Sequence, residues 1–335
     1  MVGIEMVKIL LERSFPIKSL KIFATRERTE EIAGEKFRVE KTTGDSFKDI
    51  EIALFAGTKG AKGASRQFGW TAVEKGVLVI DNGDDFRMDP RVPLVVPEVN
   101  PEALKKHRFI SNPNCSTIQL VMALFPLHRK AKIKRVIVST YQAVSGTGKA
   151  AVRELEEETR DFLAERSIQP EVYPHPIAFN LFPQVGVLSK EYPGCYTEEV
   201  KFIREARKIL NEPDLAISAT CVRVPVFNSH SEAITVEFEK EMTPEEAKQI
   251  LTDSPGIKVI DEPENSLYPT PLDVSGKDEV FVGRIRENPL FSNGLDLWVV
   301  ADNIRKGAAL NAVQIAELLI SKVDKPWEIT RVKLA

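Results

Sequence analysis

Short apolar runs rich in valine and isoleucine alternate with amphipathic stretches over the first hundred residues of the chain. The runs predict buried strands and the amphipathic stretches predict helices between them, because the strands of a parallel sheet are covered on both faces. The predicted strands are 19–25, 51–57, 76–82 and 92–98, and the predicted helices are 2–14 and 65–76. This alternation is typical of βαβ units, so we expect a doubly wound α/β domain here.

The pattern changes after residue 130, where longer strands follow one another. The predicted strands are 133–142, 219–227, 231–240, 278–286 and 294–302, and an amphipathic helix is predicted at 150–167. These elements favour a mixed or antiparallel sheet of α+β type. Residues 164–215 are rich in proline, glycine and aromatic side chains, and predict a long excursion that carries contacts. The last predicted helix, 304–323, opens with small residues and is expected to dock on the first domain.

Composition narrows the range of partners. The 335 residues carry 46 basic and 49 acidic side chains without a block of like charge, so we expect no nucleic acid and no membrane as a partner. A small-molecule substrate is expected instead. The chain has no apolar run near the roughly 20 residues of a spanning helix, and its N-terminus lacks the features of a signal peptide. We therefore expect a cytoplasmic protein.

The three cysteines, Cys115, Cys195 and Cys221, are widely spaced and include no CxxC pair. This spacing predicts neither a disulfide framework nor a thiolate metal cage. The histidines are dispersed without metal-ligand spacing, and we infer that no metal is bound.

Cys115 stands out by its position. The preceding Asn112-Pro113-Asn114 disfavours helix and the apolar run 116–125 predicts one, so the sulfur is expected in a first helical turn. Unpaired N–H groups and the helix dipole favour a thiolate there and lower a thiol pKa from about 8.5 by one to several units. A thiolate attacks carbonyl carbon. The alternative is a small buried hydrophobe, the commoner fate of a cysteine, and position alone leaves both open.

Several motifs across nearly the whole chain resemble aspartate-semialdehyde dehydrogenase of the bacterial type. They are NPNCSTIQ, TYQAVSGTGK, FRMDPRVPLVVPEVNPEAL, YTEEVKFIREARKIL, ATCVRVPVFNSHSEA and LWVVADNIRKGAALNAVQIAELL, in family order and spacing. The set is more specific than any single motif. Related thiol dehydrogenases differ at the cysteine, where acetylglutamyl-phosphate reductase usually has NPGCYPT and glyceraldehyde-phosphate dehydrogenase has SCTTN.

The resemblance implies a fold and a reaction. The implied fold is a Rossmann-like doubly wound cofactor domain at 1–113 and 303–335, and a mixed-sheet catalytic and dimerisation domain at 114–302. The implied reaction is the reversible, NADPH-dependent conversion of aspartyl phosphate to aspartate semialdehyde through a cysteine thioester, in the biosynthesis of lysine, threonine and methionine. Thioester chemistry makes sense because it keeps the oxidation energy in a bond that phosphate captures. A homodimer or homotetramer is also implied.

The resemblance further implies roles for single residues. Catalysis is assigned to Cys115, His230 and Gln142, and substrate binding to Arg223, Glu198, Lys201, Arg87 and Asn114. In this scheme Cys115 is the nucleophile, His230 takes and returns protons, and Gln142 orients the substrate. Arg223 grips the substrate carboxylate, Glu198 its ammonium group, and Lys201 a phosphate or carboxylate. Arg87 and Asn114 contact phosphate.

Each assignment has an ordinary alternative. His230 and Gln142 are also typical of hydrogen-bonding residues near strand ends, and Arg87 of a surface arginine. Glu198 and Lys201 lie three residues apart on one helix face, where an exposed ion pair contributes well under about 1 kcal/mol.

NADP is the cofactor that the resemblance implies. The candidate cofactor residues are Gly3, Thr25, Arg26, Arg28, Asn303, Gly307 and Ala308. Arginine after the strand 19–25 favours a 2′-phosphate, although Glu27 and Glu30 weaken this preference. The three residues near 305 resemble the family's segment beside the nicotinamide.

The chain departs from the family pattern in three places. It begins at MVGIEM and keeps only Gly3 of the family's glycine loop, so we expect a strand and turn of roughly ten residues before it in the natural protein. Residues 57–68 differ from the family in sequence and length, and Asp84 and Asp85 stand near a site meant for anions. The alternatives are a catalytically silent relative that has lost cofactor binding, or a reductase of another acyl phosphate.

Overall fold

The computed structural model describes residues 1–57, 63–105 and 107–321, which form two compact units. Among the described residues, the N-terminal unit comprises those of Val2–Pro97, Pro101–Asn112 and 309–321. The central unit comprises Glu98–Asn100 and Pro113–Ala308, with Met1. The domain boundaries given by the sequence stay a prediction.

The regular elements are named in chain order. The helices are α1 (Val2–Glu12), α2 (Ala64–Glu74), α3 (Cys115–Ala131), α4 (Lys149–Leu163), α5 (Thr197–Leu210), α6 (Pro244–Thr252), α7 (Pro271–Val274) and α8 (Leu310–Ser321). The strands are β1 (Ile22–Ala24), β2 (Arg28–Ile32), β3 (Glu35–Lys41), β4 (Ile52–Phe55), β5 (Leu78–Asp81), β6 (Phe109–Ser111), β7 (Ile133–Gln142), β8 (Ala216–Arg223), β9 (His230–Phe238), β10 (Ile257–Val259), β11 (Val280–Glu287) and β12 (Gly294–Ala301).

The N-terminal unit is built on the parallel strands β4, β5 and β6. On one face, Ile80 packs in a core with Ile9 of α1 and Val313 of α8. On the other face, Val79 packs with Ala72 of α2. Helices therefore cover both faces, which confirms the doubly wound arrangement, and α8 docks on this unit as predicted.

A second small sheet in this unit has the order β1-β3-β2. The sequence analysis assigned no strands to 28–41, where β2 and β3 form an antiparallel hairpin. Its turn uses Ala33 at φ 53° and Gly34 at φ 82°, a pair of left-handed residues that suits a tight hairpin. Most hairpin side chains are exposed, so the apolar alternation that marks a half-buried strand is weak.

The central unit holds a mixed six-stranded sheet of order β10-β11-β12-β9-β7-β8. The helices α3, α5 and α6 pack on this sheet. Along β7 the buried side chains alternate with accessible ones, and Ile137 is 46% exposed. Pairing aligns Ile137 with Ser218 of β8 and with Thr235 of β9 on this accessible face. The prediction of a mixed sheet is confirmed.

One predicted strand is wrong. Residues 92–98 form no regular strand, and only Leu94 makes an isolated bridge, with Ser111. Pro93 and Pro97 lack the N–H groups that a ladder requires, so an apolar run there stays extended without pairing along its length.

Candidate active site

The thiol of Cys115 lies in the first turn of α3, as predicted. Asn114 caps the helix, because its side-chain oxygen accepts hydrogen bonds from the backbone N–H groups of Ser116 at 3.0 Å and Thr117 at 3.2 Å. The backbone N–H of Asn114 in turn donates to Glu205 at 2.6 Å. The cysteine is half-buried at a helix end that is held from two sides.

A π-helical turn, Arg305–Ala309, approaches Cys115 through Gly307. A Cβ on Gly307 would stand 2.9 Å from the Cβ of Cys115 and 3.3 Å from its Cα. Only a glycine fits at this position without displacing the cysteine. The turn is anchored by Lys306, a buried lysine whose Nζ lies 2.6 Å from a carboxylate oxygen of Glu98.

Glu198 is the hub of a buried hydrogen-bond network. One carboxylate oxygen accepts from Asn114 at 2.7 Å and from Gln142 at 3.1 Å, and the other accepts from Lys201 at 3.1 Å. Burial raises the pKa of Glu198, but the Lys201 charge and the hydrogen bonds from Asn114 and Gln142 outweigh it and lower the pKa to about 2. The alternative of an exposed surface pair is therefore wrong for Glu198, which is a buried anion.

Gln142 joins three elements. Its side-chain nitrogen donates to Ser116 of α3 at 3.1 Å as well as to Glu198 of α5, and its oxygen accepts from Thr140 at 3.3 Å. Every hydrogen-bonding group of the amide except one oxygen lone pair is therefore engaged. The network fixes β7 beside the N-terminus of α3.

Two further residues predicted for the site, Arg223 and His230, form hydrogen bonds with the backbone of Ala143, in the turn after Gln142. We call this turn the Ala143 corner. The backbone carbonyl of Ala143 accepts from Nη1 of Arg223 at 2.5 Å, and its N–H donates to Nδ1 of His230 at 3.0 Å. Nε of Arg223 is buried and makes no hydrogen bond within the described part of the chain. A Cβ on Gly146 would lie 3.2 Å from Nε2 of His230 and 3.5 Å from Nη1 of Arg223, so the glycine keeps this corner open.

His230 is a neutral imidazole. Burial, and then the charge of Arg223, lower its pKa to about 3 although Glu198 acts in the opposite direction. Because Nδ1 accepts a backbone hydrogen bond, the ring hydrogen sits on Nε2. Nε2 makes no hydrogen bond to the described residues. The Nε2–H group is thus a buried hydrogen-bond donor that is left for a ligand.

The cofactor candidates near the chain's C-terminal part differ in their surroundings. Asn303 is buried, and its side-chain oxygen accepts from the Ser229 N–H and from the Ser145 hydroxyl, each at 3.0 Å. These bonds tie the chain before the π turn to the Ala143 corner. Gly307 and Ala308 lie within the π turn itself.

The N-terminal unit carries the remaining candidates. Arg87 is nearly buried and donates to the backbone oxygen of Asn82 at 2.9 Å. Gly3 lies in the first turn of α1, where a Cβ would be 3.2 Å from the Cβ of Ala56. The residues that follow β1 are exposed, and they are Thr25, Arg26 and Arg28.

Two of the charged side chains that the sequence singled out in this unit are engaged in ion pairs. Arg28 donates to Glu30 at 2.7 Å, which leaves Arg26 as the better candidate for a 2′-phosphate. Asp85, one of the two acids that depart from the family pattern, lies 3.3 Å from Arg66. Of the departing segment 57–68, residues 58–62 lie outside the described residues.

Sequence reasoning missed two residues of the central unit. Glu205 holds the Asn114 N–H, and Tyr173 places its ring centroid 5.7 Å from the guanidinium carbon of Arg223. Tyr173 belongs to the excursion 164–215, and nothing in its local pattern distinguishes it from other aromatics there. Within the described ranges, no group of three metal-ligating side chains and no membrane-spanning helix is found.

The sequence of this chain is similar to that of known semialdehyde dehydrogenases. The sequence model of the semialdehyde dehydrogenase NAD binding domain matches residues 1–107, and that of the dimerisation domain matches residues 124–306. The aspartate-semialdehyde dehydrogenase of Aquifex aeolicus is 49% identical over 330 residues, which cover 96% of this chain and 95% of that protein.

Solved structures of aspartate-semialdehyde dehydrogenases are similar to the structure of this chain. The structure of aspartate semialdehyde dehydrogenase II from Vibrio cholerae complexed with ASA has a TM-score of 0.90 at 41% identity, covering 96% of this chain and 95% of that one. The Candida albicans aspartate semialdehyde dehydrogenase with NADP has a TM-score of 0.65 at 27% identity, covering 88% of this chain and 85% of that one.

Proposed function

The chain belongs to the aspartate-semialdehyde dehydrogenase family, and we propose that it interconverts L-aspartyl-4-phosphate and L-aspartate-4-semialdehyde with NADPH or NADP as cofactor. The observation that carries the proposal is the Cys115 thiol at the N-terminus of α3, bordered by a network that runs through Glu198 and Gln142 to the corner holding Arg223 and His230. The reaction belongs to the synthesis of lysine, threonine and methionine, and we expect it in the cytoplasm.

The covalent step falls to Cys115. In the biosynthetic direction its thiolate attacks the acyl carbon of aspartyl phosphate, phosphate leaves, and a thioester forms. A bound nicotinamide supplies the hydride that reduces this carbon. The resulting oxyanion collapses by expelling the Cys115 thiolate, which regenerates the enzyme and releases the aldehyde without a net proton transfer from the protein.

His230 serves this scheme as a donor. Since its hydrogen sits on Nε2 and Nδ1 is occupied by the Ala143 N–H, it donates a hydrogen bond to the oxygen of the reacting carbon. A fixed donor aimed at developing negative charge stabilises the transition state, and a buried site strengthens the effect. The role differs from the acid/base shuttle implied by the resemblance, because a neutral ring with its acceptor nitrogen used has no lone pair for a thiol proton.

Arg223 binds the substrate carboxylate in this proposal. Its Nη1 is held by Ala143, so the Nε edge of the guanidinium remains for a bidentate carboxylate. Glu198 receives the substrate ammonium group with Lys201 beside it. Of the four lone-pair sites of the Glu198 carboxylate, three are used by the network. The remaining amide hydrogen of Asn114 is proposed for phosphate, and Arg87 keeps the phosphate-binding role that the resemblance implies.

The N-terminal unit fits a dinucleotide. Gly57, which follows β4, has a φ of 87°, and a Cβ added to it would lie 3.3 Å from the backbone oxygen of Asn82. This close approach lies beyond the carboxyl ends of β4 and β5, where doubly wound sheets bind nucleotides. Gly3 supplies a small residue in the first turn of α1. The preference for NADP over NAD is assigned to Arg26, with Thr25 and Arg28 at the same edge.

The accessible face of the central sheet supports a homodimer. A row of small and apolar side chains crosses it at Ser139, Ala233 and Trp298, and Ile137 is 46% exposed in the next row. Because residues 124–306 match a dimerisation domain, we assign this face to a second copy of the chain. A tetramer built from two such dimers is compatible with the proposal.

The enzyme assay follows NADP reduction with aspartate semialdehyde, with and without inorganic phosphate. Wild type should require phosphate, and Cys115→Ser should lose about 10³-fold or more of the rate, since a hydroxyl without an activating base is a poor nucleophile. Cys195→Ser is the matched control and should keep wild-type activity. Equal activity of Cys115→Ser and wild type would exclude the proposed chemistry.

A further inference from the structure

Tyr173 is the aromatic side chain that the excursion 164–215 presents to Arg223. Its ring centroid lies 5.7 Å from the guanidinium carbon, within the range of a cation–π contact. The same ring meets Phe182 edge-on, with centroids 5.4 Å apart and planes at 63°. The backbones of Phe182 and Arg223 are joined by two hydrogen bonds, so Phe182 supports the Tyr173 ring from beside Arg223.

Tyr173 is fixed at both ends of the side chain. Its backbone N–H donates to the buried carboxylate of Glu154 at 3.1 Å, and the same carboxylate accepts from the N–H groups of Glu171 at 2.8 Å and Val172 at 2.5 Å. Its hydroxyl donates to Thr147 at 2.8 Å. The bonds to Glu154, a residue of α4, fix the backbone of residues 171–173, and the ring cannot turn away from Arg223 without breaking the hydroxyl bond to Thr147.

The nitrogen atoms of the Arg223 guanidinium differ in their hydrogen bonding. Nη1 is bound by backbone carbonyls, whereas Nε is buried and makes no hydrogen bond within the described residues. A buried charged donor without an acceptor is costly, and a carboxylate at this edge supplies the acceptor. An aromatic ring beside the guanidinium excludes water from the guanidinium and leaves the in-plane N–H donors of the guanidinium available. A substrate carboxylate therefore competes with fewer water molecules for these donors.

We propose that Tyr173 is a specificity-determining residue that walls the carboxylate subsite at Arg223 and selects aldehydes that carry a carboxylate. The inference rests on the proposed function and names the part of the substrate that this wall recognises. Tyr173 acts through Arg223 and by excluding water, while the covalent step stays with Cys115.

The test compares Tyr173→Ala and Tyr173→Phe with wild type, using aspartate semialdehyde and propanal, an aldehyde without a carboxylate. Tyr173→Ala should raise KM for aspartate semialdehyde about tenfold and lower kcat less than threefold. Its preference for aspartate semialdehyde over propanal, in kcat/KM, should fall by about the same tenfold. Tyr173→Phe keeps the ring and should stay within about threefold of wild type.

Tyr192→Ala is the matched control. Tyr192 lies in the same excursion and its ring centroid is also 5.7 Å from an arginine, but that arginine, Arg204, is ion-paired with Glu191 instead of facing the site. This control should leave KM and the substrate preference unchanged. Should Tyr173→Ala fail to fold, Tyr173→Leu keeps apolar volume against Phe182 and removes the aromatic face.

Three results would overturn the inference. They are an unchanged KM in Tyr173→Ala or Tyr173→Leu, equal losses for both aldehydes, and a loss in Tyr173→Phe as large as in Tyr173→Ala. None of these touches the proposed function, which fails instead if wild type shows no phosphate-dependent NADP reduction.

Discussion

At the scale of single residues, tertiary surroundings decide what a charged side chain does. Glu198 and Lys201 are three residues apart on α5, a spacing that by itself indicates an exposed pair. The structure instead buries Glu198 against Asn114 and Gln142, which lie far away in sequence. The burial of a helix-face glutamate depends on what packs against that face. The three-residue spacing therefore gave the wrong environment for Glu198, and its role in substrate binding stays a proposal that the motif resemblance suggests.

The neutral state of His230 predicts an unusual pH dependence. Its pKa is lowered to about 3 from an ordinary value near 6.5, so the unfolded chain binds more protons than the folded one between these pH values. Its contribution to stability is fully present above pH 6.5 and is lost as pH falls towards 3. We therefore expect the side chain to stay neutral over the pH range of an ordinary assay.

We therefore expect His230→Asn to lower kcat by about 10²-fold or more, as for loss of a transition-state donor. The ratio of wild-type to variant kcat should stay constant between roughly pH 5.5 and 8. Steady-state rates over this range measure the ratio. A ratio that falls towards acid with a midpoint near pH 6.5 would show that His230 ionises in the working enzyme.

At the scale of elements, the apolar pattern predicted what is strongly periodic or clearly punctuated. The start of α3 followed from Pro113 and Asn114, and the helix begins at Cys115. The pattern failed where pairing does not depend on burial. The prolines flanking Leu94 prevented a ladder in an apolar run, and the β2–β3 hairpin forms from largely exposed residues. The π turn at Arg305–Ala309 has no sequence signature, and its closeness to Cys115 emerges only from the fold.

Gly307 tests the fit between this turn and the nucleophile. Gly307→Ala adds a Cβ that would lie 2.9 Å from the Cys115 Cβ, closer than real contacts, so the cysteine or the turn must shift. A displacement of a few tenths of an ångström at the nucleophile should lower kcat about tenfold or more with a modest loss of thermal stability. Gly44→Ala, where an added Cβ meets nothing within 4 Å, is the control. Wild-type kcat in Gly307→Ala would mean that the turn does not position the thiol.

At the scale of the whole molecule, assembly is expected through the accessible face of the central sheet. Composition and charge say nothing about this face, because its side chains are scattered over four strands of the sequence. The pairing of β8, β7, β9 and β12 brings them into rows. The sequence therefore predicted dimerisation through the resemblance, and only the strand register shows which side chains are available for it.

Ile137→Asp places a charge on this face and should shift the protein from dimer to monomer, raising the dimer dissociation constant about 100-fold or more. Sedimentation velocity over a range of concentrations measures the shift. Leu272→Asp is the control, because Leu272 is 91% exposed on α7, and it should leave the assembly intact. An undisturbed dimer in Ile137→Asp would move the interface to another surface.

The central claim is that Cys115 carries the substrate as a thioester, and direct observation of that bond tests it most sharply. The protein is mixed with aspartate semialdehyde and NADP in the absence of phosphate, and intact mass and peptide mass are measured. We predict one aspartyl group per subunit on the peptide containing Cys115, one equivalent of NADPH formed, and release of the group when phosphate is added. Formation of NADPH without any adduct on Cys115, or the same yield of NADPH from Cys115→Ser, would contradict the thioester mechanism.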